Sequence, residues 1–142
     1  MFLNKGVYYS AVYFLIFPIG FWISKLLDRW LDYINENIAG MSNFYMWILI
    51  SGLLAALFLQ IMLVLHSRII KELPSYKWLS AAICVFHLLL GLFIAFAAPS
   101  QILIALFGYM FSTRYVTLIV ILLFLILANL LTHERKKLKN SD

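Results

Sequence analysis

The chain has 142 residues, 65% of them hydrophobic and only 12% charged, with a net charge of +5. A water-soluble domain carries about twice that charged fraction and under half apolar residues, so water is not the principal solvent of this chain. Nucleic-acid binding is excluded as the reason for the positive charge, because the basic residues flank apolar runs instead of lying among aromatics on a soluble face.

A helix needs ~20 apolar residues to cross the ~30 Å hydrocarbon layer of a bilayer. Four such runs are predicted, at residues 7–27, 44–66, 78–98 and 115–132. The first contains Pro18, which removes a backbone donor and predicts a kink, and Lys25, whose long side chain reaches the headgroups. No small-residue cleavage pattern follows it, since Phe21 and Trp22 occupy that place, so it is read as a retained anchor and not a signal peptide.

From the end of the first run onward, Leu26, Leu27, Trp30, Leu31, Ile34 and Ile38 recur at helical spacing opposite Asp28, Arg29, Asp32, Asn35 and Glu36. That pattern predicts a short amphipathic helix over 28–40, lying in the plane of the membrane surface. A second segment, 100–112, is apolar but too short to cross, and is read as interfacial in preference to re-entrant. The expected fold is therefore an all-α integral membrane protein in one domain, a four-transmembrane-helix bundle with amphipathic interfacial helices in its two outer loops.

With four crossings, the two ends of the chain and the middle loop share a side. That side carries eight basic residues, Lys5, Arg68, Lys71, Lys77, Arg135, Lys136, Lys137 and Lys139, against Lys25, Arg29 and Arg114 on the other. The positive-inside rule places both termini in the cytoplasm and the protein in the cell membrane. Glu72, Glu134 and Asp142 leave the inner side with the whole net charge of +5. The tail run Arg135, Lys136, Lys137 and Lys139 is read first as a topology signal, and secondarily as a contact to anionic lipid or an acidic partner.

Polar residues within the spans are the places to look for function, and none in the central part of a span is Asp, Glu, Lys or Arg. On the third span Ser80, Cys84, His87, Gly91 and Ala95 form one stripe of small or polar side chains at helical steps. On the second, Gly52, Ala56 and Gln60 repeat every fourth residue. Small stripes allow helix backbones to approach closely, so these two faces are expected to meet and to bring Gln60 near His87. His87, Gln60, Ser80 and Cys84 form the candidate intramembrane site, and Gly52, Ala56, Gly91 and Ala95 the candidate packing positions.

Metal, haem and other cofactors are not expected. His66 and His133 lie at the ends of their spans, no third ligand accompanies them, and neither matches the depth of His87. Ser51 with His87 is the sole nucleophile and base pairing for an intramembrane hydrolase, and no motif supports it. Cys84 is read as a packing residue.

The favoured expectation is a non-enzymatic membrane subunit, accessory, regulatory or immunity-type, that associates through its helix faces with other membrane proteins, or with itself as a homo-oligomer, in the lipid bilayer. The alternative is a small homo-oligomeric transporter or lipid-handling carrier using the His87 and Gln60 site.

Overall fold

The computed structural model describes residues 4–37, 42–96, 101, 102, 104, 108 and 113–139. Four long helices account for nearly all of these: α1 Lys5–Asn37, α2 Ser42–Glu72, α3 Leu79–Phe96 and α4 Thr113–Lys139, with a 3-10 turn at Pro74–Tyr76. All four are long and apolar enough to cross a membrane, which marks the chain as a multi-pass membrane protein.

Asn4 starts α1. Its side-chain Oδ1 accepts the Gly6 N–H at 3.2 Å, and its carbonyl accepts from Val7 at 2.8 Å. These bonds satisfy donors that the first turn of a helix leaves orphaned. The helix runs through Pro18 and continues for 33 residues, about 50 Å at the α-helical rise.

The expected separate helix over 28–40 is therefore corrected: residues 28–37 are helical but continue α1 without interruption. No Gly or Pro stands between Leu27 and Asn37 to break the run, Leu31 is buried, and Asn37 donates back to the Tyr33 carbonyl at 2.6 Å. Residues 38–40 and most of 100–112 lie outside the described residues; Gln101, Ile102 and Ile104 are helical and exposed.

The second helix extends past the apolar run to Glu72, because Arg68, Lys71 and Glu72 are as compatible with a helix as the leucines before them. Pro74 then stops it. A residue before proline is driven out of the α region, and Leu73 sits at φ −135° and ψ 69°. The turn closes with Tyr76 N–H bonded to the Leu73 carbonyl at 2.9 Å. The fourth helix likewise outruns its apolar stretch, ending at Lys139.

The packed interior is a set of stripes. Tyr115, Ile119, Leu122, Ile126 and Leu130 on α4 are all buried, at helical steps of four, three, four and four. Tyr13, Phe17 and Phe21 face them from α1, Met62, His66 and Ile69 from α2, and Ser80, Cys84, His87 and Ile94 from α3. Helix α3 packs chiefly on α4 and α1 on α2, with further contacts of α2 to α4 and α1 to α3.

Polar contacts pin both ends. At one end the Tyr9 hydroxyl donates to Glu72 at 3.0 Å and Lys77 pairs with Glu134. At the other, Arg114 lies 3.8 Å from Asp28 with its guanidinium 4.3 Å over the Trp47 ring, and the Tyr115 hydroxyl donates to the Gly20 carbonyl at 2.9 Å. Helices α1 and α3 thus run one way and α2 and α4 the other.

Candidate functional site

The polar residues that the fold encloses form a string centred on the start of α3. The turn at Pro74 folds α3 back against the last turns of α2 and sets Ser80 opposite His66. Ser80 Oγ and His66 Nδ1 are 3.0 Å apart, and both residues are wholly buried. The Tyr13 hydroxyl of α1 lies beside Ser80 and Cys84. It nonetheless makes no hydrogen bond of acceptable geometry, and neither does His66 Nε2.

Two turns beyond Ser80, His87 Nδ1 lies 2.9 Å from the Ile83 carbonyl one turn back on its own helix. A carbonyl only accepts, so Nδ1 carries the proton and Nε2 is a bare acceptor when the ring is neutral. The imidazole is held between aromatic rings, 4.6 Å from Phe14 and 4.4 Å from Phe17. Pro18 contributes indirectly: it has no N–H, so the Phe14 carbonyl loses the donor it would have four residues on. That carbonyl lies close to the imidazole. His87 Nε2 itself has no hydrogen-bond partner among the described residues.

Three polar atoms, Tyr13 Oη, His66 Nε2 and His87 Nε2, are thus buried without a partner among the described residues. Each costs on the order of 1–3 kcal/mol in desolvation.

The structure separates the sequence-predicted residues into two groups. Ser80, Cys84 and His87 are buried on one face of α3, with Gly91 half-buried and Ala95 exposed farther along. Gln60, Gly52 and Ala56 do not join them. All three are exposed, and a Cβ added at Gly52 would meet nothing within 4 Å. The expected meeting of the two stripes is corrected: α2 turns Met62, His66 and Ile69 inward, and Gln60 lies on the opposite side of the helix. The α2 residue that meets the α3 stripe is His66, at Ser80 and not at His87, and Tyr13 adds a second hydroxyl that spacing on α2 and α3 alone does not reveal.

Ser51 donates to the Ile48 carbonyl at 3.0 Å and makes no hydrogen bond to His87. His133 is exposed whereas His66 is buried, and no group of three His, Cys, Asp or Glu suited to a metal ion occurs among the described residues. Cys84 is a buried free thiol. Arg135 and Lys136 are exposed on the last turns of α4; the side chains of Lys137 and Lys139 lie outside the described set.

A second feature is a groove of about 260 Å³ between α1 and α2, floored by Tyr115 and Leu118 of α4. Its walls are apolar apart from Ser24 and Ser51, and Arg114 stands at one end. Comparison with protein-family models, curated proteins and solved structures finds no match to this sequence.

Proposed function

We propose that the protein is a four-helix bundle of the cell membrane, with both ends in the cytoplasm, that acts as a non-enzymatic subunit by docking the outer face of α2 against a helix of another membrane component. The observation that carries this reading is the placement of the small-residue stripe. Gly52, Ala56, Gln60, Ser67 and Lys71 share the side of α2 opposite its buried residues, and every one is exposed.

Within a bilayer, small residues are used where backbones approach closely, and a polar side chain on such a face bonds across the contact. Among the described residues, none buries the stripe. Gln60 stands about 18 Å from the Glu72 end of the helix, so its amide faces hydrocarbon at mid-depth, where an unbonded polar group is costly. A partner helix with a polar residue at the same depth relieves that cost. The partner is another membrane protein or a second copy of this chain.

Size-exclusion chromatography of protein extracted in mild detergent tests the proposal. Wild type is expected as a complex. Gly52→Leu and Gln60→Leu are each expected to weaken association on the order of ten-fold, given 1–2 kcal/mol for interhelical contacts of this kind. Their own thermal unfolding should hardly change, since both positions are exposed. A wild-type protein that is always monomeric and alone, or variants that associate as wild type does, would refute it. Disulfide cross-linking of Ala56→Cys in a Cys84→Ala background separates self-association from a foreign partner.

A further inference from the structure

We infer that the groove between α1 and α2 is a binding site for one acyl chain of an anionic phospholipid, whose phosphate is held by Arg114. The site is independent of the docking stripe, which lies on the other side of α2.

The groove's dimensions select the occupant. It extends from the level of Arg114, Ser24 and Ser51 down to Ile16 and Ile61. Eight residues of α1 and ten of α2 cover that distance, on the order of 12–15 Å at the helical rise. A volume of 260 Å³ spread over that length gives a cross-section of about 20 Å², against ~80 Å² for a helix that is ~10 Å across with its side chains. A transmembrane helix cannot enter; a single hydrocarbon chain fills it. Small residues stand on both walls, Gly20 on α1, where a Cβ would lie 3.5 Å from the Phe58 ring, and Ala55 on α2.

Charge selects the headgroup. Arg114 is the charged residue that lines the groove among the described residues, and it stands where a phosphate attached to a chain in the groove would lie. Its guanidinium is oriented by stacking on Trp47. Asp28, at 3.8 Å, is beyond hydrogen-bonding distance, so the ion pair is loose and the guanidinium N–H groups remain able to grip an oxyanion. The Ser24 and Ser51 hydroxyls at the same end add polarity at the level of the glycerol backbone.

The test is native mass spectrometry of the delipidated full-length protein, re-exposed to equimolar phosphatidylglycerol and phosphatidylcholine with identical chains. Wild type is expected to retain one lipid and to prefer phosphatidylglycerol by about five-fold, the factor expected of one basic residue near an anionic headgroup. Arg114→Gln should bring the ratio to near one while retention persists. Asp28→Asn, which removes the same ion pair but keeps the arginine, should hold or raise the preference. Ala55→Phe should abolish retention of both lipids.

Lys25→Gln removes a charge at a similar depth outside the groove and is expected to leave the ratio unchanged. The inference is overturned if Lys25→Gln lowers the ratio as far as Arg114→Gln does, if Asp28→Asn lowers it to the same extent, or if Ala55→Phe retains lipid as wild type does. A second polypeptide in place of lipid on the wild-type protein, lost in Ala55→Phe, also overturns it.

Discussion

Phe17→Ala is expected to destabilise the protein by about 3 kcal/mol, the low end of the range for truncating a fully buried phenylalanine. Phe17 has no exposed surface and is the ring on which three others rest: its centroid is 4.4 Å from His87, 5.5 Å from Phe58 and 6.3 Å from Tyr13. It joins α1 to α2 and α3 at once. Lipid tails are as apolar as the protein interior, so the part of the cost that comes from exposing hydrocarbon to water shrinks in a membrane. The lost contacts around the cavity do not shrink, because the neighbouring rings lie on three different helices and cannot all collapse into it. Reversible unfolding in mixed detergent micelles measures the loss. Leu15→Ala, two residues away but half exposed, serves as the control and should cost well under 1 kcal/mol.

Ser80→Leu carries the second large effect, also expected near 3 kcal/mol from two sources. The larger side chain enters a site with no exposed surface, between His66 and the Tyr13 hydroxyl, and overpacking of this kind costs about 1–3 kcal/mol. It also removes the partner of His66 Nδ1, and a buried polar atom left unbonded costs about 1–3 kcal/mol more. Ser80→Ala isolates the second source and should lose about half as much. His66→Leu should be milder than either, because it removes the unbonded Nε2 together with the bonded Nδ1, and Ser80 can turn its hydroxyl to a carbonyl of its own helix. The same unfolding assay ranks the three. A His66→Leu variant less stable than Ser80→Leu would show that the pair does not work this way.

Much of the architecture is legible in the sequence, because lipid leaves little choice: four runs long enough to cross have four helices in the structure, each starting within two residues of its expected place. The ends were less legible. Nothing in a bilayer argument stops a helix from continuing once it leaves the hydrocarbon, so α1 runs on to Asn37 and α4 to Lys139 where separate segments or loops were expected.

The inward face of α3 was readable, since Ser80, Cys84 and His87 stand out against leucines. The inward face of α2 was not. In a water-soluble helix polarity marks the outside, but in a membrane both faces are apolar, and small residues suit either an internal contact or an external one. Gly52, Ala56 and Gln60 proved to be outside. His66 was misjudged for a related reason: it ends an apolar run, yet the helix continues six residues beyond it and places it about 9 Å inside the last turn. The signal that would have found it is the Pro74 turn, which folds the residues before it onto those after it and so pairs His66 with Ser80. Pro18, four residues after Phe14, similarly points to a carbonyl that lacks its helical donor and that a histidine can approach.

The proposed arrangement has four crossings with both ends on the cytoplasmic side. Single cysteines placed in a Cys84→Ala background at Lys5, Glu36, Ser75 and Lys136, and labelled with a membrane-impermeant maleimide, test it most directly. In right-side-out vesicles only Glu36→Cys should react; in inverted vesicles Lys5→Cys, Ser75→Cys and Lys136→Cys should react and Glu36→Cys should not. Labelling of Glu36→Cys and Ser75→Cys from the same side, or of Lys5→Cys and Lys136→Cys from opposite sides, would contradict the account.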